Sequence, residues 1–162
     1  MKQNAPPPNR TIRITTAIYI AITAACFIGA VYQRYLLVPA LVLILLGAYC
    51  YWFWSPVAYE LDGNTLTVRF RGSRSTFPGV TRCSRIQERF SFLTLRLCGN
   101  GGVFAGSGIF WNKRMGIFRA YVTRSQPDEL VLVESRRGKV VISPEDPAGF
   151  LDARETTAME SA

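Results

Sequence analysis

The chain has 162 residues, 49% of them apolar, a formal charge of +8 and no histidine. Without imidazole there is no Ser-His-Asp or Cys-His catalysis, no His-ligated metal site and no imidazole proton relay. A chain of this length holds one modest domain at most.

The apolar residues crowd into the front third. Residues 14–32 and 35–54 form two runs separated only by Gln33 and Arg34, and neither contains Asp, Glu, Lys or Arg. At about 1.5 Å per helical residue, a run of about 20 crosses a hydrocarbon core of about 30 Å. The pattern predicts an N-terminal tail over 1–13, a transmembrane helical hairpin over 14–54, a soluble domain over 55–155 and a C-terminal tail over 156–162. Lys2, Arg10 and Arg13 precede the first run, Arg34 stands alone in the turn, and fifteen Lys or Arg follow the second. Basic flanks stay on the inner side, so both ends face the cytoplasm in a multi-pass protein of the inner (cytoplasmic) membrane. Tyr32 and Tyr35 mark one interface, and Tyr51, Trp52 and Trp54 the other, where amphipathic rings prefer to sit. The competing reading is a cleavable signal, since Ala24-Ala25-Cys26 faintly resembles a lipoprotein cleavage site. Thr23 stands where such sites want a large aliphatic residue and the apolar run continues past Cys26, so the hairpin is preferred.

Ala17, Ala21, Ala25 and Gly29 recur every four residues along the first helix. Small residues at this spacing let two backbones approach closely. The stripe packs on the second helix beside Ala40 and Ala48, or it forms a self-association seam; the tight turn favours the first.

The soluble part is polarised in charge. Residues 69–124 hold eleven basic residues and one acid, Glu88, whereas 125–162 hold four basic residues and eight acids. A cationic middle beneath anionic lipid is drawn to the membrane or to an acidic partner, although a solvated sheet face reads the same way. Arg outnumbers Lys sixteen to three, which suits bidentate carboxylate or phosphate contacts. The four cysteines form no CxxC, so neither a zinc site nor a redox pair is signalled, and small buried thiols are expected. In the reversed topology Cys83 and Cys98 become disulfide candidates.

Past the hairpin, Val57, Tyr59 and Leu61 alternate with smaller or polar residues up to the turn Asp62-Gly63-Asn64. Leu66, Val68 and Phe70 then alternate with Thr65, Thr67, Arg69 and Arg71, giving a strand with one apolar and one cationic face. Residues 75–80 form a third strand that Pro78 confines to an edge or an end. Leu93, Leu95 and Leu97 mark a fourth strand, residues 116–123 a fifth, and 129–134 with 139–143 a last hairpin across Arg136-Arg137-Gly138. One more short strand is expected near Phe104 or Ile109. A helix closes the domain: Ser143 can cap it with Pro144 at its first position, or Asp146-Pro147 starts it, with Phe150 and Leu151 as its apolar face. About seven strands and a helix order as a small β-barrel or sandwich with a terminal helical plug.

The run Arg96-Leu97-Cys98-Gly99-Asn100-Gly101-Gly102, then Gly106-Ser107-Gly108-Ile109-Phe110-Trp111, Gly116, Tyr121-Val122-Thr123 and the ending Val140-Val141-Ile142-Ser143-Pro144-Glu145-Asp146-Pro147 with Phe150, resembles bacterial pleckstrin-homology (PH) domains. The resemblance covers roughly residues 59–151 and extends to the membrane-anchored type with two N-terminal transmembrane helices. It implies a mainly β, α+β fold: two orthogonally packed sheets forming a PH-like seven-stranded barrel or sandwich with a C-terminal helix. It implies a docking surface for lipid headgroups, peptides or subunits, and no catalysis. The loop that is basic in phosphoinositide-binding relatives is here the short, acidic Asp62-Gly63-Asn64.

The glycine-rich stretch from Gly99 to Gly108 is the one candidate phosphate loop. It lacks the terminal Gly-Lys-Ser/Thr, misses GxGxxG and leads to a strand rather than a helix, so a structural corner is the better reading. Trp111 with Lys113 and Arg114 can dip into headgroups, or its aromatics can pack inward as an ordinary hairpin turn. Asp128-Glu129 and Glu145-Asp146 suit turns and caps, and no base-stacking motif marks nucleic-acid binding. These residues describe a membrane-held scaffold that presents a cationic β-domain to a protein partner or a second copy. The alternative is sensing of anionic lipid through Arg69, Arg71, Arg74, Trp111, Lys113 and Arg114. No catalytic residue, metal or cofactor is expected, and no nucleic acid.

Overall fold

The computed structural model of the chain describes residues 1–86, 95–124 and 126–160. Helix α1 runs Arg10–Tyr32 and is capped by Asn9, whose Oδ1 accepts from the Ile12 N–H at 3.0 Å. A single 3-10 turn, Arg34–Leu36, reverses the chain into α2, Leu37–Tyr49, which finishes in a π turn over Cys50–Trp54. Both arms, Arg10–Tyr32 and Arg34–Trp54, are long and apolar enough to cross a membrane, and little of either is buried within the chain.

The less exposed positions include Ile12, Thr16, Tyr19, Thr23, Cys26 and Ala30 on α1 and Ala40, Leu43, Gly47 and Cys50 on the returning arm. Alternating steps of three and four residues are the seam of a left-handed helix pair. Gly47 leaves room for the Tyr19 ring, to which a Cβ would come within 2.9 Å, and the Tyr19 hydroxyl donates to the Leu43 carbonyl. The small-residue stripe is not this seam. Ala17, Ala21 and Ala25 are exposed, and only Gly29 meets the returning chain, at Leu36. A step of four overshoots one helical turn by about 40°, so a stripe with that spacing drifts off a 3.5-residue seam.

Strands β2 (Pro56–Asp62) and β3 (Thr65–Phe70) form the expected hairpin, with Gly63 at φ +51° in its turn. β4 (Arg74–Pro78) pairs with β3 and ends at Pro78, as a residue without an N–H requires. The N-terminal arm, read from sequence as a tail, contributes β1 (Lys2–Asn4), which pairs Lys2 with Glu60 and Asn4 with Ala58. The first sheet therefore has the order β1-β2-β3-β4.

The second sheet contains β5 (Arg82–Arg85), β6 (Leu95–Gly101), β7 (Gly106–Asn112), β8 (Gly116–Val122), β9 (Val131–Ser135) and β10 (Gly138–Ile142), in the order β5-β9-β10-β8-β7-β6. β8 and β10 run parallel, because the connection through the 3-10 turn Pro127–Glu129 skips one strand position that β10 then fills. Nine described strands thus follow Ser55, against the seven or so expected. β5 had no alternation to announce it: Arg82, Ser84 and Arg85 are polar, and only Cys83 reaches the core. Leu93 and Thr94 of the expected fourth strand lie outside the described residues.

The sheets form a sandwich rather than a closed barrel. Tyr59, Leu61, Leu66, Val68 and Phe77 of one sheet pack on Val131, Val133, Val140 and Ile142 of the other. Helix α3 (Pro147–Glu160) plugs the core with Phe150, fully buried. It starts at Pro147, with Asp146 Oδ1 accepting from the Gly149 N–H at 3.0 Å. Ser143 serves elsewhere, as described below. A second apolar cluster, Phe118, Ala120, Val122, Leu130 and Val141, covers the far face of the larger sheet.

Candidate functional site

The sandwich is fixed to the helix pair at one end. The Asn9 N–H donates to Thr123 O at 3.1 Å, the Gly72 N–H to Trp52 O at 3.0 Å, and the Phe104 N–H to Thr16 Oγ1 at 2.9 Å. β1 adds its ladder to β2, prolonged by the Ala5 N–H on Val57 O at 2.8 Å. These contacts bring the β3–β4 turn, the β6–β7 loop and the end of β8 to the helices. The turns at Gly63 and at residues 113–115 lie at the opposite strand ends, about 20 Å away at about 3.3 Å per residue.

A buried polar hub locks the helix-proximal end. The Tyr59 hydroxyl donates to Tyr121 O at 2.8 Å and lies 3.5 Å from Ser143 Oγ, which in turn accepts from the Thr123 N–H at 2.9 Å. The hub therefore ties β2 to β8 and to the chain leaving β10. Burial pushes the Tyr59 phenol well above its ordinary value of 10, outweighing its hydrogen bond with Ser143.

The six residues singled out in the sequence divide into two groups. Arg69, Arg71 and Arg74 line one cleft of about 520 Å³ on the outer face of the smaller sheet, together with Glu60 and Thr67. Arg69 Nη1 lies 3.0 Å from Glu60 Oε1, and Lys2 Nζ lies 3.5 Å from the same oxygen. The Arg69 hydrogen bond, with help from Lys2, holds the Glu60 carboxyl below the usual range. Arg71 sits over the Tyr51 ring at 4.0 Å, and Phe104 meets that ring edge-on at 5.2 Å. Arg74 is exposed opposite Arg69.

Trp111, Lys113 and Arg114 belong to the β7–β8 hairpin at the distal end. Phe110 joins the far-face cluster and stacks on Phe118 at 5.8 Å, whereas Trp111 stays 37% exposed beside Ile117, 65% exposed. The aromatic pair therefore divides between the far-face cluster and the surface, and neither ring joins the core between the sheets. The Arg114 N–H donates to Asn112 Oδ1 at 3.0 Å and shapes the turn.

The glycine-rich stretch is structural. Gly99 and Gly108 face each other across β6 and β7 at φ +124° and +154°, and a Cβ on Gly108 would lie 2.2 Å from Cys98 O. Among the described residues no three His, Cys, Asp or Glu side chains gather as a metal site. Glu129 pairs with Arg124 at 2.8 Å, and Asp146 caps α3. Cys98 is exposed, against the expectation of buried thiols. Sequence reasoning used Arg13 for topology and Tyr51 as an interface marker, and passed over their meeting with Arg71 and Phe104 in one cleft. The signal available was modest: each is a charged or aromatic residue beside an apolar run.

No curated protein and no solved structure matches the chain. The model of a family described as bacterial PH domain matches residues 57–158, which takes in every strand from β3 to β10 and most of α3. A PH domain is in general a protein- or lipid-interaction module and not an enzyme. With the sandwich, its C-terminal helix and this match over more than half of its length, the chain belongs to the bacterial PH domain family.

Proposed function

We propose that the protein is a membrane-anchored docking module whose PH domain, on the cytoplasmic face of the inner membrane, presents its distal end to a protein partner. The observation that carries this reading is the attachment at one end: two backbone–backbone hydrogen bonds, a third to the Thr16 hydroxyl and the β1–β2 ladder join helices, arm and sandwich. An attachment of that kind holds the β7–β8 hairpin at a fixed height, where Trp111, Ile117, Lys113 and Arg114 offer an apolar patch rimmed by cations. Aromatic anchors beside arginine are the composition of interface hot spots. Tethering raises the local concentration of whatever docks there.

The test is gentle extraction of the full-length chain and of the triple variant Trp111→Ala/Lys113→Glu/Arg114→Glu, followed by quantitative mass spectrometry of co-purifying proteins. A stoichiometric partner that falls at least about tenfold in the variant, about 1.4 kcal/mol of binding, supports the reading. A partner retained equally by both forms sinks it. A dimer of the chain that the variant loses would make the hairpin a self-assembly surface.

The second reading is sensing of anionic lipid, and the position of Arg71 and Arg74 beside the helix end favours it. Lys113 and Arg114 drop out of that reading, because they lie a strand length away from the same end.

A further inference from the structure

A second cleft, which shares Arg71 with the first, opens where the helix pair meets the sandwich. It measures about 570 Å³, and its walls include Pro7, Arg13, Ile20, Tyr51, Arg71 and Phe104. That volume is within the range of small-ligand sites. The lining is graded: Ala17 and Ile20 belong to the exposed apolar surface of α1, whereas Arg13 lies in its first turns and Arg71 follows β3. No carboxylate lines the cleft, and neither arginine has an acidic partner among the described residues. Tyr51 supports the Arg71 guanidinium from one face. A stacked guanidinium keeps a rigid fork of N–H donors suited to phosphate oxygens.

We propose that this cleft binds one anionic glycerophospholipid, with its phosphate between Arg13 and Arg71 and an acyl chain along Ala17 and Ile20. The apolar wall selects a lipid over a soluble phosphate ester, because it continues directly into the exposed surface of α1. The proposal rests on the membrane-anchored reading of the helix pair and is independent of the distal hairpin.

The test uses the full-length chain in mild detergent, titrated with phosphatidylglycerol or with phosphatidylcholine and read by native mass spectrometry. One phosphatidylglycerol per chain is expected to bind about 30-fold more tightly than phosphatidylcholine, at about fivefold per arginine. R13Q/R71Q should lose that preference, R13K/R71K should keep most of it, and K113Q/R114Q should keep all of it. sn-Glycerol 3-phosphate, which carries a phosphate group without acyl chains, should not displace the lipid. Equal binding of the two lipids, an unchanged preference in R13Q/R71Q, an equal loss in K113Q/R114Q, or displacement by glycerol phosphate would each overturn the proposal. Should R13Q/R71Q fail to fold, R13Q alone, on the exposed surface of α1, carries the same readout at about fivefold. Flotation with vesicles separates the two levels. A chain that does not float refutes anchoring and this site together, whereas one that floats without phosphatidylglycerol preference refutes only the site.

Discussion

Tyr59 joins chemistry to stability most directly. Its ring fills the core between the sheets, and its hydroxyl joins the hub at the helix-proximal end. Burial raises the folded-state pKa above the ordinary value of 10, so between these two values the unfolded chain ionises while the folded one does not. The stabilisation this represents is fully present below pH 10 and is lost as pH rises above it, at up to about 1.4 kcal/mol per pH unit. Thermal unfolding in detergent from pH 8 to 12 should follow that decline, and Tyr59→Phe should flatten it at a cost of about 1 kcal/mol near neutrality. An identical alkaline slope in the variant would mean that another group carries it. Glu60 behaves in the opposite sense. Its folded pKa is lowered by Arg69 and then Lys2, so its contribution is present above the ordinary carboxylate range and fades as acid is added. Because the pair lies on the outer sheet face, solvent screens it and the effect is small.

Among the elements, the β6–β7 pair depends on glycine for a reason that composition alone does not reveal. Gly108→Ala would set a Cβ 2.2 Å from a backbone carbonyl at φ +154°, whereas Gly63→Ala at φ +51° meets nothing within 4 Å. The first is expected to cost about 3 kcal/mol or more and the second about 1 kcal/mol, measured as shifts in unfolding free energy. Comparable costs would contradict the close approach of β6 and β7. Ser143→Ala removes the acceptor of a buried Thr123 N–H, and should cost about 1–3 kcal/mol while leaving α3 capped by Asp146. What was legible in the sequence follows the same physics. β2, β3 and β8 were readable because alternation marks a strand with two different faces, and β10 was readable from the turn Arg136-Arg137-Gly138 before it. β1 and β5 were not, since Lys2–Asn4 and Arg82–Arg85 are short, polar and become strands only through their partners β2 and β9. The role of Ser143 was hidden for a related reason: its Ser-Pro context reads as a helix cap, while its partners lie 84 and 20 residues away. The six candidate residues could be singled out by charge and aromatic character, but their division between two ends needed the strand directions.

For the whole molecule, the question is what makes two helices and a sandwich one body, and much of the answer lies in the first nine residues. β1 occupies the outer edge of β2 and places Gln3 inward, where its Oε1 accepts from the Asp146 N–H at 3.1 Å beside the start of α3. The arm then crosses to Asn9, which caps α1 and donates to Thr123. An unpaired β2 edge would be a template for another strand, so the arm joins helix to sheet and blocks that edge at once. Gln3→Pro removes a backbone donor opposite Tyr59 and the side chain that reaches Asp146. In the full-length chain this substitution should release β1, lowering hydrogen-exchange protection of the β2 amides that point at it, Tyr59 and Leu61, at least about tenfold, a local loss of about 1.4 kcal/mol. The amides of β9 and β10, whose partners are other strands of the larger sheet, should keep their protection. The pattern across strands matters more than the size of the change. Selective loss along β2 makes β1 a separable latch, a uniform loss in both sheets makes it part of the cooperative core, and unchanged β2 protection means that β1 does not guard this edge.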